Sequence, residues 1–164
     1  MEHDPQEEPV SLGAEDSRPA VRDARAIADR IAADEAAADE ERDRLRDRPL
    51  ARLEADPDAA ALLEPGESLI ATARALPQDA TPPGEGTPGV VRALLTTSRL
   101  LLRGPGDVRE LRLRDIEEVA VIGERMLVIA QAGGRETRLD MDHPRVFRVR
   151  LAHGVAMERA VRTT

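Results

Sequence analysis

Between residues 67 and 141 the sequence breaks into seven short apolar segments, punctuated by glycine, proline, serine or aspartate, and only then enters a long segment of helical period. Segments this short, at this spacing, read as strands of an antiparallel sheet or barrel. A single amphipathic helix placed after them has to close whatever part of the core the sheet leaves open. Strands are expected at 67–76, 89–96, 99–103, 108–113, 116–122, 125–131 and 135–141. Thr97-Ser98 makes a tight corner, Gly104-Pro105-Gly106-Asp107 a turn, and Ala132-Gly133-Gly134 another. The loop 77–89 holds four prolines and three glycines, too many for a regular element.

After the last strand, Asp142 is placed to cap a helix, with Pro144 in its first turn where a missing N–H costs nothing. Phe147, Leu151 and Val155 then recur at i, i+4 and i+8 on one face, suited to plugging the open end of a bent sheet. The expected fold class is mainly β with a C-terminal α-helix. It is a seven-stranded bent sheet or barrel capped by one helix, preceded by an acidic helical arm. A different small β-barrel and a split α+β sheet are the alternatives.

Charge divides the chain. Residues 1–65 carry 19 acidic side chains against 9 arginines, and residues 66–164 carry 13 against 15. An acidic arm on a nearly neutral body is the natural reading, with a disordered tail at 1–19, a helical arm and linker at 20–61 and the body at 62–164. Segment 19–46 is rich in Ala, Asp, Glu and Arg and free of glycine, so it should be helical. Glu40 with Arg44, Asp39 with Arg42 and Asp43 with Arg46 stand at helix-neighbour spacing. Its best seam runs Ala24, Ile27, Ile31, Asp34, Ala38, Glu41, Leu45. Two charges and two alanines in that seam favour a solvated helix over self-association. Segment 50–63 is expected as a second short helix broken at Pro57.

Phe147 is the only aromatic residue, so the core is aliphatic, and proteins that stack bases on exposed rings are a poor match. With a net charge of −8, nucleic acid is not an expected partner. Without cysteine there is neither a disulfide frame nor a thiolate metal site. No uncharged apolar stretch approaches the roughly 20 residues of a membrane span, and the acidic start lacks the pattern of a secretory signal. A cytoplasmic protein is the expectation, with attachment at the inner face of the membrane as the variant.

Chemistry is sparse. Gly84-Glu85-Gly86-Thr87-Pro88-Gly89 spells a dinucleotide fingerprint, but a strand and not a helix follows it, Pro88 removes an amide and Glu85 repels phosphate. His143 stands near Asp140 and Asp142, while the next histidine, His153, is ten residues on, too far for helix-spaced metal ligation. Ser68 and Ser98 have no nearby histidine to activate them. No enzyme, no cofactor and no metal are expected. The basic concentration is at the C-terminal end: Arg135, Arg138, Arg145, Arg148, Arg150, Arg159 and Arg162. Among these Arg138, Arg145, Arg148 and Arg150 are the candidate binding residues, for an anionic lipid headgroup, an acidic peptide or the chain's own acidic helix.

Leu63-Glu64-Pro65-Gly66-Glu67, then Leu95-Thr96-Thr97-Ser98-Arg99-Leu100, then Leu113-Arg114-Asp115-Ile116-Glu117-Glu118-Val119 recur in an order that resembles the bacterial pleckstrin-homology-like (PH-like, or GRAM-like) domains over 63–161. The resemblance marks Gly66, Thr96, Arg99, Asp115, Ile116, Phe147, Leu151 and Val155 as the residues that define the fold. It implies a module that binds and does no chemistry. Phosphoinositide-binding members carry a basic cluster around the first hairpin. Here that loop is acidic and prolyl, and Leu94 stands where a second basic residue would follow Arg92, so no residue of that lipid site carries over. The function expected is a non-enzymatic adaptor that recognises a protein partner, or itself, through a free strand edge or the groove beside the closing helix. Anionic-lipid attachment through the arginines and structural self-assembly are the alternatives.

Overall fold

The computed structural model describes residues 17–78 and 89–162. Residues 1–16 of the expected tail and most of the first hairpin loop, with Gly84 to Pro88 of the fingerprint, lie outside the described residues, while Ser17 to Pro19 are helical and not part of a disordered tail.

Seven strands form where the punctuation placed them: β1 (Leu69–Pro77), β2 (Val91–Thr96), β3 (Arg99–Arg103), β4 (Val108–Arg112), β5 (Ile116–Ile122), β6 (Met126–Gln131) and β7 (Arg135–Met141). They make one antiparallel sheet in the order β4-β3-β2-β1-β7-β6-β5. β1 is the hinge of this sheet: Leu69 to Ala75 pair with β2, and only Ala75 to Pro77 pair with β7. A 3-10 turn, Leu113–Asp115, leads from β4 into β5, and those two strands are the sheet's unpaired ends.

Among the helices, α1 spans Ser17–Asp47, α2 is the single turn Pro57–Ala60, and α3 runs Pro144–Arg162. α3 closes the core as its apolar stripe requires. Phe147, Leu151 and Val155 pack with Ile70, Leu95, Leu111, Leu113, Ile116 and Leu139, all buried. Gly154 keeps this contact close, since a Cβ there would lie 3.2 Å from Leu113 Cδ1. A seven-stranded bent sheet in this order, closed by a C-terminal helix, is the PH-like fold.

Segment 50–63 is not the broken helix that its composition predicts. Leu53 pairs with Leu69 as a short bridge, its amide donating to the Leu69 carbonyl at 2.8 Å. Asp56 then caps one turn, accepting the Ala59 amide at 2.8 Å, with Pro57 as its first residue. The reason lies under it. β2 and β3 are apolar on both faces, so the run Leu100-Leu101-Leu102 sends Leu100 and Leu102 to the main core and Leu101 to the other side. There Leu69, Leu94 and Leu101 are buried beneath Ala55, Ala59 and Leu62. The linker is a strap over the outer face of the sheet.

α1 is likewise not a helix leaning on nothing. Its seam from Ile31 to Leu45 lies on α3, with Asp34, Ala38 and Glu41 buried, while residues 20–30 are exposed. Two of the ion pairs predicted within it form, Asp39 with Arg42 and Asp43 with Arg46. Arg44 turns to Glu41 and not to Glu40, because Glu41 is the buried partner.

Candidate functional site

The four candidate arginines do not form one patch. Arg138 projects from the outer side of β7, where it pairs with Glu136 at 2.6 Å. Thr137, Leu139 and Met141, the residues alternating with it, face the core that α3 covers, so the sheet separates Arg138 from the other three. Arg145 is mostly buried: it donates to the carbonyls of Gly123 at 2.9 Å and Glu124 at 3.2 Å in the β5–β6 turn. Arg148 donates to the Val119 carbonyl at 3.0 Å, and Arg159 to that of Ile116 at 2.7 Å. These three arginines cap carbonyls along the β5 edge and its turn, an edge that would otherwise present unpaired backbone. Their work is structural. Of the sheet's two ends, the β5 edge is therefore occupied by α3's own side chains and is not the free edge expected for an added strand.

Arg150 meets Glu41 of α1 at 2.8 Å. Burial alone pushes the Glu41 carboxyl up, but hydrogen bonds from Arg44 and Arg150 reverse this and hold it below the usual carboxylate range. Asp34 Oδ2 accepts the Arg145 amide at 3.0 Å, in the first turn of α3. The cap of α3 thus comes from α1. Asp142, the expected cap, is drawn away by Arg125 at 2.5 Å, and the Phe147 amide returns to the His143 carbonyl. Arg125 bridges Asp142 and Asp140, leaving His143 exposed and 3.7 Å from Asp34 Oδ1. Among the described residues no three His, Cys, Asp or Glu side chains are grouped to hold a metal ion, and no helix is long and apolar enough to cross a membrane.

The motif residues converge on a carboxylate, Glu67, whose side-chain partners lie some thirty residues away and so leave no local signal. Glu67, following Gly66 in its left-handed backbone conformation (φ 82°), turns into the sheet. Its Oε1 accepts from Thr96 Oγ1 at 2.5 Å, Ser98 Oγ at 2.6 Å and Arg99 Nε at 3.0 Å. Its Oε2 accepts from Arg99 Nη2 at 2.5 Å and the Glu64 amide at 2.9 Å. Arg99 also reaches Glu110 Oε2 at 3.0 Å and the Leu62 carbonyl at 3.1 Å. Burial by itself raises the Glu67 carboxyl; these donors, Arg99 foremost, bring it down to about 2. The cluster ties the strap, the entry to β1, the end of β2, β3 and β4 together. Ile116 is core, and Asp115 contributes its carbonyl, which accepts the Ala132 amide at 2.8 Å.

A second basic feature runs across the strands. Arg74, Arg92 and Arg103 stand directly opposite one another across β1, β2 and β3, where like charges repel. Asp56 pairs with Arg92, and Asp58 with Arg103 at 3.0 Å, so α2's acids neutralise two of the three. They border a cleft of about 820 Å³. The signal was available as cross-strand register but not as spacing within one strand.

An apolar opening lies where the ends of α1 and α3 meet the start of the strap. It is a groove of about 610 Å³ between Leu45, Leu50 and Ile70 on one side and Gly154, Met157 and Val161 on the other. Met157 and Val161 are 54% and 73% exposed. Arg46, Arg48 and Arg52 stand on its rim, with Asp47 and Glu158.

No protein-family model matches the chain, and no curated protein does. Among solved structures, the C-terminal domain of an unknown protein from Leishmania infantum is similar at 13% identity and a TM-score of 0.40, over 51% of this chain and 74% of that one. An N-terminally truncated linker-DH/PH-domain structure of p115-RhoGEF is similar at 14% identity and a TM-score of 0.47, over 75% of this chain and 41% of that one. The chain spans less than half of the RhoGEF structure. The assignment of the fold rests on the strand order and the closing helix.

Proposed function

We propose that this chain is a non-enzymatic, cytoplasmic PH-like binding module, of the bacterial GRAM-like kind its motifs resemble, and that it recognises a segment of a protein partner. The observation that carries the reading is the groove at the end of α3. Two large apolar side chains, Met157 and Val161, stand exposed there together over an apolar floor. Elsewhere along α3 the arginines are engaged by α1 or by the β5 edge. With the β5 edge taken, the groove and the β4 edge remain for a peptide or helix, and the apolar floor favours the groove. α1 serves as a tether whose first half remains available for assembly.

A second reading, peripheral attachment to anionic lipid, moves from the α3 arginines to the Arg74–Arg92–Arg103 row, which is aligned beside a cleft and in which Asp56 and Asp58 pair with Arg92 and Arg103 but not with the exposed Arg74. One experiment separates the two. Full-length wild type, Met157→Glu and Arg74→Glu are used as baits in host lysate and, in parallel, with vesicles rich in anionic lipid. The protein reading predicts a retained protein that Met157→Glu loses at unchanged thermal stability and Arg74→Glu keeps. Vesicle binding abolished by Arg74→Glu, with no protein that depends on Met157, would replace it by the lipid reading.

A further inference from the structure

α1 covers α3 in a way unlike a core contact. Polar contacts hold it: Asp34 on the first-turn amide of α3 and Glu41 on Arg150, seven residues apart, with Glu35 3.5 Å from the Arg145 guanidinium and Arg30 paired with Glu124 of the β5–β6 turn. Between Asp34 and Glu41 only Ala38 is fully buried, with Ile31 and Leu45 half-buried beyond. Asp34 Oδ1, though buried, has no hydrogen-bond partner among the described residues. Clefts of about 290 and 340 Å³ border the seam. Charge and a cap, more than apolar volume, keep the helix in place.

The two ends of α1 are also informative. Toward its start the seam continues through Ala24 and Ile27, but there it is bare: Val21 is 65% and Ile27 38% exposed. After Asp47 no helix or strand forms until Leu53, and Pro49 lies within that stretch. A helix held by transferable polar contacts, joined by a short irregular segment, is what exchange between copies requires.

We propose that this face of α3 is a docking surface for the acidic helix of a second copy, and that α1 exchanges reciprocally between two chains about residues 48–52. Each Asp34 then caps the α3 of its mate, and each Glu41 pairs with the mate's Arg150. Exchange keeps all of these contacts and brings two bare Ala24–Ile27 stripes into one particle. The occupant is α1 because the surface demands a carboxylate at the start of α3 and a second one seven residues on, with a small residue between. Asp34, Ala38 and Glu41 are that pattern. The hinge and Leu45 also line one wall of the groove, but the two readings are tested at different residues, Met157 for the groove and Glu41 with Arg150 for the exchange, so failure of one leaves the other standing.

Charge reversal in the full chain tests it. Glu41→Arg sets two guanidinium groups against each other within its own chain, and Arg150→Glu sets two carboxylates. When the two variants are mixed one to one, only reciprocal exchange matches both seams. The introduced arginine meets the introduced glutamate in one, and Glu41 meets Arg150 in the other. Sedimentation is expected to show a particle of one copy of each, associating about tenfold or more tightly than either variant with itself. A mixture that sediments as two separate single chains, with both variants unfolding cooperatively, overturns the proposal. As a second measurement that needs no charge reversal, the cysteine-free chain is labelled with donor or acceptor at Ala20→Cys. Energy transfer that grows after mixing supports exchange. Its absence at concentrations where the chain is a dimer, or a chain that stays single at all concentrations, overturns it.

Discussion

Replacing Arg99 with methionine is expected to lower stability by about 3–5 kcal/mol, the cost of leaving a buried carboxylate without its cation. The Glu67 side chain is 3% exposed and that of Arg99 11%, so water has little access to the lost contacts. Glu64, Glu110 and the Leu62 carbonyl lose a donor at the same time. Glu67→Gln in the same chain should recover part of the loss, since it removes the orphaned charge. Urea unfolding of the two single variants and the double variant measures the coupling. An Arg99→Met loss under 1 kcal/mol would mean that the cluster is solvated. The same cluster sets an acid response. Glu67 lies at about 2 in the fold against an ordinary 4.5. Its contribution is therefore complete above pH 4.5 and is lost as pH falls from there toward 2, by about 3 kcal/mol in all. In Glu67→Gln that acid slope should shrink.

Cutting the chain at residue 62, where the charge balance changes, is expected to abolish cooperative folding. The cut removes Ala55 and Ala59 from above Leu69, Leu94 and Leu101, which are 1%, 0% and 2% exposed. Returning three leucines to water costs about 1.5–3 kcal/mol each, comparable in sum with the whole stability of a small domain, about 5–15 kcal/mol. It also strips Asp56 and Asp58 from Arg92 and Arg103, leaving three aligned guanidinium groups to repel one another. A chain beginning at residue 48 keeps the strap and should unfold cooperatively, with a lower Tm from the loss of α1. Calorimetry decides: a 62–164 piece melting within a few degrees of the full chain would remove the strap from the fold.

Much of this architecture is legible in the sequence because strands, turns and the closing helix each carry local signals. Gly133 and Gly134 adopt the left-handed conformation that a tight turn needs, and Phe147, Leu151 and Val155 occupy the face their spacing assigns. What local signals miss is covering. The run Leu100-Leu101-Leu102 does indicate a strand apolar on both sides, and such a strand must be covered on both. Taken with the leucines of 50–63, it points to a strap. The seam of α1 reads as defective because Asp34 and Glu41 lie in it. They become its purpose once Arg145 and Arg150 face them, and that pairing spans more than a hundred residues. The arginines mislead for a related reason. A guanidinium that caps a backbone carbonyl looks, in sequence, like one free for a ligand.

The measurement that bears most directly on the account is backbone hydrogen exchange of the full chain at neutral pH. If acidic helix and strap are built into the PH-like body, amides of residues 34–45 are protected by their seat on α3, as are those of Leu53 and Ala59. Residues 20–30 of the same helix exchange rapidly, since an isolated helical segment that short is marginal in water. Equal and rapid exchange along all of α1 would contradict the account, returning the acidic helix to solvent and the α3 arginines to whatever anion reaches them.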